Sequence, residues 1–411
     1  MTTLDTLTQS LHERPLPDGW RWVRLKEMGL FEAGGTPAKE RADYWNGDIP
    51  FVTGADITDI NITRAHARAF LTKVGLYSGK TAICEVGTLL IVTRTRVGRA
   101  GIARELMGVS QDITAFRCCP QMNAEFLCQY LHRISKQLVD NCRGATIQGL
   151  TRDYVDNLVI PLPPLAEQKR IAAVLREQMA AVDKARAAAQ ARLEAVQALP
   201  AAFLRQVFPQ PGQPLPDGWR WVRLKEMGLF EAGGTPAKER ADYWNGDIPF
   251  VTGADITDIN ITRAHARAFL TKVGLYSGKT AICEVGTLLI VTRTRVGRAG
   301  IARELMGVSQ DITAFRCCPQ MNAEFLCQYL HRISKQLVDN CRGATIQGLT
   351  RDYVDNLVIP LPPLAEQKRI AAVLREQMAC VEQARAVAEA ELEAINALPA
   401  ALLRRAFSGE I

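Results

Sequence analysis

No stretch of this chain approaches the roughly 18 consecutive apolar residues that a membrane-crossing helix needs. The opening residues MTTLDTLTQSLHER also lack the charged-then-apolar order of an export signal, so a cytoplasmic protein without a membrane partner is expected. Histidine is scarce: the five (His12, His66, His132, His265 and His331) stand in no triad-like order with a nucleophile. The eleven cysteines are odd in number, Cys118 adjoins Cys119, and no CxxC or Cys/His cluster has zinc-ligand spacing, which points to free thiols and no bound metal. GLYSGKT, Gly75 to Thr81, has three residues between its glycines where a phosphate loop needs four. The glycine-bearing cofactor loop and the Asn/Asp-Pro-Pro-aromatic element of a base-flipping methyltransferase are missing too. Glu167-Gln168-Lys169 has the acid-x-Lys spacing of metal-dependent nucleases. It follows Pro164 in the first turn of a helix, however, where a glutamate favours the positive end of the helix dipole. Catalysis by this chain, and any cofactor of its own, are therefore not expected.

What the chain does have is repetition. Every residue from Pro15 to Ala180 returns 199 positions later, from Pro214 to Ala379, giving 166 identical positions before Ala181 meets Cys380. Solenoid repeats are 20 to 50 residues long, whereas this unit has the size of a domain with an appendage. The balance of 50 Lys+Arg against 43 Asp+Glu, a net charge of +7, suits a polyanionic partner without demanding one. Its distribution is more telling, because basic residues gather in short Gly- and Thr-containing stretches such as VTRTRVGRAG, Val92 to Gly101.

Along one copy, Trp20, Trp22 and Leu25 set against Arg21 and Arg24 predict a half-buried strand, followed by the Gly/Pro-rich loop GGTPAKERADYWNGDIP. Thr88 to Thr95 (TLLIVTRT) reads as a buried strand emerging at a surface, and DITAFRC, Asp112 to Cys118, as another. From Ala124 to Asn141, Leu127, Leu131, Ile134 and Leu138 mark one helical face. The body is mixed α/β. After Pro163 and Pro164 an Ala/Arg/Glu-rich helix begins, spanning roughly 54 Å to Pro200 at ~1.5 Å per residue. Leu175, Val182, Ala189, Val196 and Phe203 recur every seven residues in it, and Leu374, Val381, Ala388, Ile395 and Leu402 repeat the seam although the flanking letters have diverged. That pattern predicts two non-identical partners of one coiled coil. The plain alternative is two helices that each lie on their own domain.

The residues suited to phosphates and base edges cluster in three loops. Thr36, Lys39 and Arg41 lie in the Gly/Pro-rich loop. Arg94, Arg96 and Arg99 follow the buried strand, with alternate spacing expected to place Arg94 and Arg96 on one side as a fork for guanine or phosphate. Arg143, Gln148 and Arg152 lie in CRGATIQGLTRD, where Gln148 could read adenine. Their copies are Thr235, Lys238, Arg240, Arg293, Arg295, Arg298, Arg342, Gln347 and Arg351.

Four stretches in order, GGTPAKERADYWNGDIPFVTGADI, EVGTLLIVTRTRVGRAGI, GATIQGLTRDYVDNLVIPLPPLAEQKRIAAVL and the ending ALLRRAFSGEI, strongly resemble the DNA-specificity (S) subunit of type I restriction-modification systems over nearly the whole chain. The resemblance implies an N-terminal segment (1–14), α/β (α+β) target-recognition domains at 15–160 and 214–359, conserved spacer helices at 161–208 and 360–411, and a linker at 209–213. The spacers would form a long antiparallel two-helix coiled coil separating the domains. It further implies a non-catalytic subunit that binds double-stranded DNA at a bipartite target and docks methyltransferase (M) subunits, two of them, with restriction (R) subunits joining. S-adenosylmethionine would be held by the M partner. Members of the family usually carry two different recognition domains; the identical pair here departs from that pattern. Identical readers related by a twofold axis would recognise an interrupted palindrome. The competing classes are a coiled-coil scaffold without nucleic acid and a stand-alone nuclease.

Overall fold

The run Leu89–Val92 (LLIV) is apolar at every position because both of its faces are covered, and that makes it the centre of the fold. The computed structural model describes residues 16–143, 149–210, 213–342 and 348–411. In chain order its first strands are β1 (Arg21–Arg24), β2 (Gly29–Ala33), β3 (Trp45–Val52), β4 (Asn61–Ile62) and β5 (Ala69–Leu71). The short helix α1 (Lys73–Leu76) precedes β6 (Ala82–Cys84), β7 (Leu89–Val92), β8 (Ala100–Ala103), β9 (Met107–Val109) and β10 (Ile113–Cys118). Helices α2 (Ala124–Arg133), α3 (Ser135–Arg143) and α4 (Arg152–Asp156), strand β11 (Val159–Leu162) and the long helix α5 (Leu165–Val207) complete the first copy. The second copy repeats them as β12 (Arg220–Arg223) to β22 (Val358–Leu361) and α6 (Lys272–Leu275) to α10 (Leu364–Ala406).

A five-stranded sheet, ordered β2-β10-β7-β8-β4, and a four-stranded one, β5-β3-β9-β6, form the body, while β1 pairs with β11. Successive side chains of a strand point to opposite faces. Leu89 and Ile91 accordingly join the cluster containing Phe126, Leu127 and Leu131 of α2 and Leu138 of α3. Leu90 and Val92 pack with Val52 of β3 and Val109 of β9, between the two sheets.

The division of the chain falls inside the long helices. One unit holds residues up to Ala189 together with those from Glu391 onward, and the other holds Gln190–Ala390. Within the first unit, Arg186 Nε donates to Asn396 Oδ1 at 2.8 Å and Arg170 Nη2 to the main-chain oxygen of Ile411 at 2.5 Å. One index falls as the other rises, so these segments of α5 and α10 run antiparallel. Leu175, Val182, Ala189, Leu374, Val381 and Ala388 of the heptad seam are buried, and Leu403 and Ala406 complete the first unit's main core. Leu204 and Phe208 do the same for the second. Gln168, fully buried at the start of α5, ties that helix to the sheet-and-helix body. Its amide donates to the oxygens of Gln121 (3.0 Å) and Pro163 (2.9 Å), and its oxygen accepts from Asn123 N at 2.8 Å. Gln367 repeats all three bonds.

The fold is thus the expected pair of α/β domains with long, antiparallel-paired helices, and three local expectations need correcting. In β1 the buried residue is Val23, with Trp22 only half-buried, because Val23 and Leu25 supply the core contact. The helix expected over 124–141 is two helices, turning at Ile134. The strand expected to run to Thr95 ends at Val92. As the seam reaching Phe203 and Leu402 implied, α5 runs through Pro200 and α10 through Pro399, giving 43 residues each.

Candidate nucleic-acid interface

Three chain segments meet at the end of β7. The amides of Thr93 and Arg94 both donate to the Asp112 carbonyl, at 2.8 and 3.2 Å, while Leu150 N donates to Thr93 O at 2.8 Å. Arg94 bridges Gly149 in antiparallel fashion, and a side-chain carbon on Gly149 would stand 2.9 Å from Thr93 O, so glycine permits the approach. The Gly/Pro-rich loop closes on the same region. Gly34 N donates to Ile113 O at 3.0 Å and Gly35 N to Val109 O at 2.9 Å, and a methyl on either glycine would collide with the carbonyl of Ser110 or of Lys80.

Here the expected arginine fork has a different origin. Thr95 sits at φ +52° and Arg96 N returns to Arg94 O at 2.7 Å, so Arg94 and Arg96 project from a tight left-handed turn instead of from alternating strand positions. Both are exposed, and among the described residues neither has an ion-pair partner. The second copy reproduces the turn, with Thr294 at φ +55° and Arg295 N 2.7 Å from Arg293 O. Arg99 and Arg298 are engaged otherwise: each donates through Nη1 to a main-chain oxygen, of Ile57 and Ile256, at 3.2 Å.

Other candidates divide the same way. Lys39 is exposed and Thr36 half-buried, its hydroxyl donating to Gln111 Oε1 at 2.5 Å; Thr235 meets Gln310 alike, and Lys238 is exposed. Arg41 binds Asp43 through two nitrogens, at 2.8 and 2.7 Å, over the Tyr44 ring. That hydrogen-bonded guanidinium holds Asp43 below the usual carboxylate range, and Arg240 acts identically on Asp242. Arg152 pairs with Asp156 at 2.5 Å and lies over the Phe31 ring; Arg351 repeats this with Asp355 and Phe230. Gln148 and Gln347, and the side chains of Arg143 and Arg342, lie outside the described residues.

Beside the arginine turn of the first unit the structure forms a pocket of about 590 Å3. Thr36 and Lys39 line it, together with residues that the sequence did not single out: Trp45, Asp56, Arg68 and Gln111. Asn46 in its wall has φ +62°, for which the Asn-Gly pair was the available turn signal. Nothing in the spacing links residue 36 to 56 or 111; the sheet pairing does.

Two copies of one domain, each presenting a turn with two unpaired arginines and each continuing into a 43-residue helix, define a duplicated, helix-linked recognition module. Known proteins specify it further. The profile described as "Type I restriction modification DNA specificity domain" matches residues 17–190 and again 216–392, so the chain belongs to the specificity-subunit family of type I restriction-modification systems. It is 24% identical over 375 residues to the type I restriction enzyme MjaIX specificity subunit of Methanocaldococcus jannaschii, covering 85% of this chain and 84% of that protein. The EcoBI specificity subunit of Escherichia coli is 23% identical over 308 residues, covering 66% and 62%. Among solved structures, one from work on complex assembly and conformational transition of the type I R-M system superposes with a TM-score of 0.79 at 26% identity, covering 97% of this chain and all of the other. The HsdS subunit from Thermoanaerobacter tengcongensis gives 0.66 at 27%, covering 97% and 99%. No helix among the described residues is long and apolar enough to cross a membrane.

Proposed function

We propose that this chain is the non-catalytic sequence reader of a type I methyltransferase and endonuclease, and that it binds an interrupted palindrome in double-stranded DNA. The observation that carries the reading is the arginine turn built twice, residue for residue, at Arg94–Arg96 and Arg293–Arg295. Phosphate contacts position a protein on DNA, and base-edge contacts give it sequence preference. Side chains already bound to carboxylates, such as Arg41 and Arg152, suit the first role less than Lys39, Arg94 and Arg96. Identical side chains in equivalent poses prefer the same bases, and on this reading the two identical readers meet the duplex as inverted copies, so the half-sites are inverted copies. On this reading residues 15–160 and 214–359 are the recognition domains, and the helices dock two methyltransferase subunits, with restriction subunits joining them. The partner holds S-adenosylmethionine and methylates one adenine per half-site.

Methylome sequencing of cells that express the chain with its methyltransferase subunit gives the motif, which should be a palindrome with a gap. Binding titrations on that duplex should then show matched losses of ~1–3 kcal/mol for Arg94→Ala/Arg96→Ala and for Arg293→Ala/Arg295→Ala. An asymmetric motif, or full binding with all four arginines removed, overturns the reading.

A further inference from the structure

The pocket beside the arginine turn has a floor of unusual character. Asp56 is 3% exposed, and its Oδ2 accepts from Thr53 N at 2.9 Å and from Thr53 Oγ1 at 2.7 Å. Its other oxygen, Oδ1, is buried and accepts no hydrogen bond. Arg68 Nε stands 2.9 Å away as an ion pair without hydrogen-bond direction, on a side chain that is 76% exposed. The second unit repeats this arrangement: Asp255 is bound by Thr252 through Oδ2, its Oδ1 lacks a hydrogen bond, and Arg267 lies 3.1 Å away and 80% exposed. Each of these buried oxygens is thus held only by an exposed arginine outside hydrogen-bond geometry, and a ligand with a directed donor would complete it.

Walls and rim narrow the ligand. Trp45 and Phe51 meet edge to face at 5.3 Å in the lining, and the indole N–H is already satisfied by Ala38 O at 3.0 Å. Lys39 and Arg68 stand at the pocket, and Arg94 hangs from Asp112, which lines it. Two cations, Lys39 and Arg68, thus share the lining with the aromatics Trp45 and Phe51 and the buried Asp56 carboxylate. The pocket's volume of about 590 Å3 lies within the ~300–1,000 Å3 of small-molecule sites. A nucleotide fits this order of charges, with phosphate at the rim, a ring against the aromatics and an amino group on the carboxylate. The edge of a stacked base cannot reach a carboxylate this enclosed, so the base must leave the helix.

We propose that each recognition unit takes one everted base carrying an exocyclic amino group (cytosine, adenine or guanine), with Asp56 or Asp255 Oδ1 accepting from that group and Arg68 or Arg267 turning to a phosphate. This rests on the DNA-reading function above and adds to it a base read outside the stack.

The test uses the chain assembled with its methyltransferase subunit and duplexes carrying the motif, in which each pair is replaced in turn by a mispair that keeps one base. An unpaired base costs less to evert, so wild type should bind at least about tenfold tighter when the pocket's base is mispaired, at one position per half-site. Asp56→Asn with Asp255→Asn keeps an acceptor for Thr53 and Thr252 but places a donor at the floor, and should abolish that tightening while thermal unfolding is unchanged. Arg68→Ala with Arg267→Ala leaves the floor intact and should lower affinity while preserving the mispair profile. Tightening at the methylated adenine that survives in the Asn variant belongs to the partner. If every tightening survives there, the pocket proposal fails. In that event, loss of binding in the Arg94, Arg96, Arg293 and Arg295 alanine variant leaves DNA reading standing, whereas its retention removes both.

Discussion

One sequence of 166 residues is closed in two different ways. In the first unit Phe407 packs against Phe126 and Tyr130, each at 5.2 Å between ring centres, and Ile411 lies on the same core with its oxygen held by Arg170. In the second, Phe208 takes the corresponding place against Phe325 (5.2 Å) and Tyr329 (5.5 Å). The position matching Ile411 is Gly212, which brings no side chain and lies outside the described residues. The two units also differ at a strand of identical sequence: Val159 is 8% exposed and its copy Val358 is 42% exposed. Core closure thus depends on the residues at and beyond the end of each long helix, while the hydrogen bonds that hold the arginine turns have the same lengths in both copies.

The largest expected difference lies at the closing phenylalanines. Phe208 is fully buried and Phe407 half-buried, so Phe208→Ala should destabilise the second unit by ~3–5 kcal/mol, and Phe407→Ala should cost the first clearly less. Hydrogen exchange resolved by segment reports each unit separately, and equal losses would contradict the comparison. Removing Ser408–Ile411 is the next test. It should cost the first unit about 1 kcal/mol and raise exchange around Arg170, whose partner oxygen is lost, leaving the second unit unchanged.

The smallest effect should treat the units alike. Burial lowers the pKa of His132 and His331, whose Nε2 lies 2.9 Å from the oxygen of Ala100 or Ala299. The unfolded chain then binds protons more readily, so this contribution to stability is present above the unfolded value near pH ~6.5 and is lost as pH falls below it. Unfolding midpoints at pH 7.5 and 5.5 should differ, and His132→Gln with His331→Gln should flatten the difference equally in both units.

The seam of the long helices was legible because a seven-residue period survives divergence of everything around it, and the face of Leu127, Leu131, Ile134 and Leu138 was legible despite the turn at Ile134. The arginine loop was legible in composition but not in shape. A left-handed Thr95 has no signature in the letters, and alternation suggested a strand where the chain turns. Arg41 and Arg152 looked like free cations, yet each has a carboxylate two or four residues away. The pocket was not legible at all, since its wall is assembled from residues 36 to 112 by sheet pairing.

Because Leu403 and Ala406 belong to the core of the first unit, the order of synthesis and the order of completion are reversed. A ribosome finishes the sheets of the first unit early, but that unit waits for Leu403 and Ala406 before its core can close. The second unit has Leu204 and Phe208 in hand before its own first strand emerges. The half translated last is the first able to finish folding, and a nascent chain stalled anywhere before Leu403 exposes an unfilled hydrophobic notch to the cell's quality control.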